Sequence, residues 1–361
     1  MMTVPALREL RRILPKAQIT LATRSWAKGL FADADFLDNL LIQDGRGLRA
    51  TFAQASDLRQ GNFDLALVFP NSFGTALVPA LARVPFRFGY ATSGRGLLLT
   101  HSLPLPGWRS SKHEVFYYLN IVAELERSLN DEKPRESRQP DASLEMSEAR
   151  KSQGSAILSS HGVRADAKLI ALCPGSINSR AKRWPAERYA ALADMLMDRL
   201  EAQVLLIGSP EELDVSLEVG RHMRHQATML TGKTDLAQLV SVLGLVDLVV
   251  TNDTGPAHIA SALGRPTLVI FGPTNPLTTR PFSPLAELVR HPPDCAPCML
   301  RDCPIDHRCM TAISPDDVFE RAAAMLSSHG GKTSDGWCSG QVDDNQTIHE
   351  VTLNNTKYNS C

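Results

Sequence analysis

The chain has no apolar stretch approaching the eighteen or so residues that a membrane-spanning helix requires, so no span is expected. Its start, Met1-Met2-Thr3-Val4-Pro5, lacks the charged-then-apolar layout of a secretory leader, and a soluble cytoplasmic protein is the expectation. An excess of one charge is missing as well. The formal net charge is -1, which gives no general pull toward nucleic acid and confines any basic surface to a local patch. Cysteine is sparse, with seven in all and four of them between Cys295 and Cys309. An odd total clustered in this way does not suggest a secreted disulfide framework. Gly94 and Gly96 form a lone glycine pair with no dinucleotide fingerprint after it, which reads as a loop.

What is present suffices for two cores. At 361 residues and 43% hydrophobic content the chain is long enough for two medium domains. Pro5 to Leu14 carries Leu7, Leu10, Ile13 and Leu14 at helical spacing with arginines between, and Pro15 ends it. Strand-like runs follow at Ile19 to Ala22, Asn39 to Ile42, Leu65 to Phe69 and Arg87 to Tyr90, alternating with helical stretches such as Thr75 to Ala82. That alternation predicts an α/β domain with a parallel sheet. The composition turns polar around Glu132-Lys133-Pro134-Arg135-Glu136, where an interdomain linker is expected. The plan then repeats, with strands at Leu169 to Leu172, Val204 to Ile207, Thr228 to Leu230, Asp247 to Thr251 and Thr267 to Phe271, and a helix from Pro185 to Leu200. The expected boundaries are an N-terminal Rossmann-like domain over 1–130, a linker over 131–154, a C-terminal Rossmann-like domain over 155–326 and a disordered tail over 327–361, rich in Gly, Ser and Asn. No internal repeat beyond the two α/β halves is visible.

The most informative stretch is Asn252-Asp253-Thr254-Gly255-Pro256-Ala257-His258, between the apolar runs Val246 to Val250 and Ile259 to Leu263. A buried strand, a glycine turn and a proline at the start of a helix leave free backbone N–H groups at a helix N-terminus, which is a place for phosphate. The next strand ends in Gly272-Pro273-Thr274-Asn275-Pro276, so two strand ends open into polar loops on the edge where an open parallel sheet holds its ligand.

The block Asp253-Thr254-Gly255-Pro256-x-His258, followed by Ala262-Leu263-Gly264-Arg265-Pro266-Thr267 and Phe271-Gly272-Pro273-Thr274, resembles the signature of the ADP-heptose:lipopolysaccharide heptosyltransferases, glycosyltransferase family 9. Cys173-Pro174-Gly175-Ser176 and Ala181-Lys182-Arg183-Trp184-Pro185 extend the likeness. Cys303-Pro304-Ile305-Asp306-His307-Arg308-Cys309-Met310, with Asn71-Ser72-Phe73 and Gly89-Tyr90, looks most like the heptosyltransferase II branch. The resemblance covers roughly Met2 to Leu326. It implies two Rossmann-like domains facing across a cleft, the B-type glycosyltransferase fold, and an inverting enzyme without a cofactor. The donor implied is ADP-L-glycero-D-manno-heptose, and the acceptor is a lipid A-linked inner core already bearing heptose. Work at the cytoplasmic face of the inner membrane, by peripheral contact and without nucleic acid, follows from that acceptor. In the family the first strand runs into a Gly-Asp turn just ahead of a segment like Met2-Thr3-Val4-Pro5-Ala6-Leu7, and that aspartate is the expected general base. Neither strand nor turn is found here, so a first strand missing from the N-terminal domain and a base lying before Met1 are expected, and no catalytic residue is assigned.

Each candidate has a bland reading beside the functional one. Lys182, in a strand-to-helix loop, could meet charge on a departing phosphate or be a solvated lysine; Ser176 could donate to the same group. Asp253 could cap the following helix while Thr254 and Gly255 present amides to the diphosphate. His258 could sit in the core beside Ile259 and Ala262, and the resemblance makes it a phosphate contact. Glu212, in Gly208-Ser209-Pro210-Glu211-Glu212, matches the ribose-binding position better than Glu211, though acids at a helix start are often only dipole partners. Thr234 aligns with a position lining the adenine site. Asp33-Ala34-Asp35 resembles a metal-holding acidic motif, but three-residue matches arise by chance and this fold works without the metal. Arg109, Lys112 and His113 precede a helix from Val115 to Leu125 and form either a cationic rim for an acidic acceptor or a solvated helix start. Cys295, Cys298, Cys303 and Cys309 with His307 could hold zinc, but only the first pair has a familiar gap, so thiols in a loop closing over the nucleotide site are expected and no metal is assigned. Two rivals stand beside the transferase: a nucleotide-sugar epimerase on the same fold, and an inactive nucleotide-sugar-binding protein.

Overall fold

The computed structural model describes residues 1–129 and 139–328 and the backbone of Glu350–Thr352. The chain divides into two compact units, Met1–Ala142 and Ser143–Cys361. The expected linker lies partly outside the described residues. Its last part, from Glu148, is the start of a helix.

In the first unit α1 (Val4–Ile13) is followed by β1 (Thr20–Thr23), β2 (Asn39–Ile42), α2 (Leu48–Gln60), β3 (Leu65–Leu67), α3 (Phe73–Leu81), β4 (Phe86–Tyr90), β5 (His101–Leu103) and α4 (Glu114–Leu129). All its strand pairs are parallel, in two separate sheets ordered β1-β2 and β3-β4-β5. α1 starts with Pro5 in its first turn, where the missing N–H has no intrahelical acceptor to lose, and carries Arg11 and Arg12 in its last, where they face the negative end of the helix dipole. It buries Ala6 and Leu10 in one cluster with Phe88, Tyr90, Tyr117, Ile121 and Leu125. Arg12 ties it to α4 through Glu126 at 3.0 Å.

The second unit carries α5 (Glu148–Ser160), β6 (Leu169–Cys173), α6 (Ala186–Leu200), β7 (Gln203–Leu206), α7 (Leu213–His222), β8 (Thr228–Met229), α8 (Leu236–Leu243), β9 (Leu248–Asn252), α9 (Gly255–Ala262) and β10 (Thr267–Ile270). The single turn α10 (Pro276–Thr279), β11 (Ala286–Arg290), the single turn α11 (Arg308–Thr311), α12 (Pro315–Ser328) and β12 (Glu350–Thr352) complete it. One seven-stranded sheet runs β12-β11-β10-β9-β6-β7-β8, parallel throughout. β6, β9 and β10 are buried at every residue, as central strands covered on both faces must be. The expected tail lies outside the described residues except for the end of α12 and strand β12.

The α/β class with parallel sheets is as expected, and the order of the second sheet locates its ligand edge. From β6 the chain proceeds through β7 to β8 on one side, then crosses to β9 on the other. The carboxyl ends of β6 and β9 therefore border a crevice at a topological switch point, where open α/β sheets bind ligands.

Candidate functional site

At the end of β6 the chain turns through Pro174, Gly175 and Ser176; at the end of β9 it turns through Asp253 and Thr254 into α9. Asn252, fully buried, stitches the two ends together. Its Nδ2 donates to Pro174 O at 2.8 Å and Gly175 O at 3.1 Å. Its Oδ1 accepts from Trp184 N and the Tyr189 hydroxyl, both at 3.1 Å. Four hydrogen bonds saturate the amide and fix three loops against one another. The indole of Trp184, 1% exposed, anchors the third loop by donating from Nε1 to Ile313 O at 3.1 Å.

Lys182 ends a short 3₁₀ turn, Arg180–Lys182. Its Nζ donates to Asp253 Oδ2 at 2.7 Å and to Asp253 O at 3.2 Å, and the Thr274 hydroxyl donates to the same carboxylate oxygen at 2.7 Å. The solvated-lysine reading gives way to an ion pair whose carboxylate is only 4% exposed. Of the three ammonium hydrogens two are used, and the third is available to a ligand. Asp253 is corrected in role. The N-cap of α9 is Thr254, with no side-chain capping bond, and the Asp253 carboxylate holds Lys182 and Thr274 instead.

Gly255 opens α9, is exposed, and would carry a Cβ into open space, so a ligand can approach its backbone N–H, one of the first-turn donors without an intrahelical acceptor. Thr254 Oγ1 lies 3.2 Å from Thr251 Oγ1, and both hydroxyls reach Asn252 O, at 3.3 Å and 2.9 Å. Ser176 is buried. Its carbonyl accepts from Arg183 at 3.0 Å and 3.2 Å, while its hydroxyl meets no protein partner among the described residues.

Glu212 is 7% exposed, and its Oε2 accepts from Ser209 N at 2.9 Å. A Cβ on Gly175 would lie 2.3 Å from Glu212 Oε1, so glycine is required where the carboxylate crosses the β6 turn. The dipole-partner and ligand readings of Glu212 both stand on this placement. Thr234 is half-buried, one residue before the α8 cap Asp235; no contact ties it to the Lys182 group. His258 is half-buried on α9, between buried Ala257 and buried Ile259.

The other candidates have contacts of their own. Asp35 pairs with Arg8 at 3.2 Å, which engages half of the acidic motif. Arg109 stacks over the Tyr117 ring at 4.1 Å, and His113 is buried with Nδ1 accepting from Val115 N at 3.2 Å, a local contact at the start of α4. Four cysteines, His307 and Arg308 line a cavity of about 190 Å³. Burial first, and then the neighbouring thiols of Cys298, Cys303 and Cys295, push the Cys309 thiol up to about 11. Among the described residues no three such groups converge as a metal site, and His307 Nε2 lies 2.6 Å from Ala181 O. Together with Ala181 N donating to Arg301 O at 2.9 Å and Arg180 paired with Asp302 at 2.6 Å, that contact makes the cysteine segment a brace for the turn bearing Lys182.

Sequence reasoning passed over Asn252 and Thr274, although both stand in the blocks quoted above. The saturating amide and the second carboxylate donor carry no charge of their own, so the sequence does not single them out beside Asp253.

The sequence model of glycosyltransferase family 9 (heptosyltransferase) matches residues 51–308. Lipopolysaccharide heptosyltransferase 2 of Salmonella typhimurium is 29% identical over 91% of this chain and 96% of its own length. The Escherichia coli protein of the same name is 30% identical over 80% and 84%. Among solved structures, Escherichia coli ADP-heptose lps heptosyltransferase II superposes with a TM-score of 0.77 at 28% identity, covering 91% of this chain and 95% of that one.

Proposed function

The chain belongs to glycosyltransferase family 9, and from that premise we propose that it moves a heptose from ADP-heptose onto the heptosylated inner core of lipopolysaccharide. The names of its relatives point to the second heptose position. The epimerase and binding-only readings are not favoured.

The observation that carries the reading is the Lys182 ammonium, pinned by Asp253 at the switch point of the second sheet with one N–H to spare. The diphosphate of the donor lies there, against the Thr254 and Gly255 amides and the Ser176 hydroxyl. His258 contacts the phosphates, Glu212 takes the ribose through its second carboxylate oxygen, and Thr234 lines the adenine. An acceptor hydroxyl attacks the anomeric carbon from the face opposite the departing ADP. Charge that develops on the leaving phosphate meets a fixed ammonium and fixed amides, which stabilise it without reorganising. The first unit takes the acceptor, and we assign no general base among the described residues.

No helix of the described residues is long and apolar enough to cross a membrane. The acceptor's lipid anchor therefore sets the place of work, at the cytoplasmic face of the inner membrane by peripheral contact, and exposed Trp26 and Phe52 in the first unit support such contact. The test is incubation of the full chain with ADP-heptose and a singly heptosylated lipid A core, with the product weighed by mass spectrometry. An added heptose is expected; its absence from a folded sample would overturn the reading.

A further inference from the structure

The first unit contains a charge that the donor site does not use. Arg95 is fully buried, and among the described residues no carboxylate pairs with it. Its guanidinium instead binds neutral acceptors at two strand ends. Nε donates to Tyr90 O at 2.8 Å, at the end of β4. Nη1 donates to Pro70 O, beyond β3, and Nη2 to Asn71 Oδ1 at 3.3 Å. Burial lowers its pKa, as expected for a cation without a counter-ion.

That cation settles which way Asn71 points. A guanidinium only donates, so the carboxamide atom facing it is the oxygen. The Tyr117 hydroxyl donates to the same oxygen at 3.0 Å, and Thr92 Oγ1 holds the Asn71 carbonyl at 2.9 Å. With the oxygen doubly engaged, Nδ2 is turned the other way with both hydrogens, and it meets no acceptor among the described residues. Asn71 is half-buried, on the loop that follows the carboxyl end of β3. The Tyr117 ring carries the guanidinium of Arg109 on its face at 4.1 Å, and the nearest ion-pair partner of Arg109 is Glu114 at 3.5 Å. A fixed double donor and two cations therefore surround one tyrosine on the ligand edge of this sheet.

We propose that the Asn71 carboxamide, aided by Arg109, receives an oxyanion of the acceptor saccharide, a phosphate or a carboxylate, with Arg95 and Tyr117 as its positioning residues. This rests on the reading that the first unit takes the acceptor. An amide donor gives direction that a mobile lysine does not, so Asn71 selects acceptors by where the anion sits relative to the attacking hydroxyl.

The experiment is a calorimetric titration of full-length protein with the delipidated, singly heptosylated core oligosaccharide, and separately with ADP. Asn71→Asp is isosteric, keeps both donors on one oxygen and turns the outward group into an acceptor that repels an anion. It is expected to weaken oligosaccharide binding about tenfold or more, with ADP affinity unchanged. Tyr117→Phe, which keeps the ring under Arg109, is expected to weaken it by less, again without touching ADP. Should Asn71→Asp fail to fold, Asn71→Ala carries the same expectation. Treatment of the oligosaccharide with phosphatase assigns the anion. If the wild-type advantage disappears the group is a phosphate, and if it persists the group is a carboxylate; both support the site. Oligosaccharide affinity within twofold of wild type in the folded Asn71 variant, a parallel fall in ADP affinity, or no binding by wild type would overturn it. Heptose transfer by the same wild-type sample is scored separately. Binding that depends on Asn71 without transfer would sink the proposed reaction and leave this site standing.

Discussion

Lys182 and Asp253 hold each other at 2.7 Å, with the carboxylate almost wholly out of water and the lysine about a quarter exposed. Removing the lysine does two separable things. On the proposed function it takes a fixed positive charge from the leaving phosphate, and it strands a buried carboxylate with Thr274 as its remaining side-chain partner. Lys182→Ala is therefore expected to lower kcat by about a hundredfold or more, the scale on which single fixed donors to a developing charge act, and to raise the KM for ADP-heptose. Steady-state kinetics check this; a variant that loses only stability would contradict it. A second residue-scale effect concerns proton linkage. Burial first, and then the Glu212 charge, push the Cys173 thiol from its ordinary 9.0 up to about 12, so in the folded state it stays protonated where the unfolded chain ionises. The unfolded state then binds fewer protons, and stability is full below pH 9 and falls as pH rises toward the folded value. The denaturation midpoint is expected to drop between about pH 9 and pH 11 in wild type and to drop less in Cys173→Ala, which has no thiol to ionise. Equal slopes in the two proteins would refute the linkage.

Among the elements, β6, β9 and α6 meet at one amide. Asn252→Ala would leave Pro174 O, Gly175 O and Trp184 N without their partner and the Tyr189 hydroxyl with Cys173 O at 3.3 Å, all of them buried or nearly so. At about 1 kcal/mol or more for each buried group left unmatched, the expected loss is about 3 to 5 kcal/mol. It is read as a lower urea midpoint with unchanged m-value, and a loss below about 1 kcal/mol would show that the loops hold without it.

The strands β6, β9 and β10 were legible in the sequence because buried parallel strands read as unbroken apolar runs, and their bounds agree with expectation to within a residue. β11 was not, since Ala286-Glu287-Leu288-Val289-Arg290 places charges at both ends of a short apolar pair; its pairing with β10 decides it. α5 straddles the end of the expected linker at 154 and has little apolar periodicity to mark it as a helix. Its fold comes from contact with α8, where a Cβ on Gly154 would sit 2.4 Å from Ser241 O, too close for any residue but glycine. The residues proposed for the phosphates stand in motifs legible in the sequence. Their mutual contacts are not legible there, because Lys182 and Asp253 are 71 residues apart in sequence and only the order of the sheet brings them together.

For the molecule as a whole, the seven-stranded sheet, its switch point and every residue assigned to the donor belong to the second unit. The cysteine segment that braces the Lys182 turn belongs to it too. On the proposed function, donor recognition is thus a property of one unit, and the acceptor side of the reaction falls to the first unit. That division is tested most directly by titrating ADP into the isolated second unit, residues 143–361, beside the full chain. The account predicts that the isolated unit folds and binds ADP within about threefold of the full-chain affinity, a difference under 1 kcal/mol, and that Lys182→Ala weakens both alike. A folded second unit with no measurable affinity for ADP would contradict it.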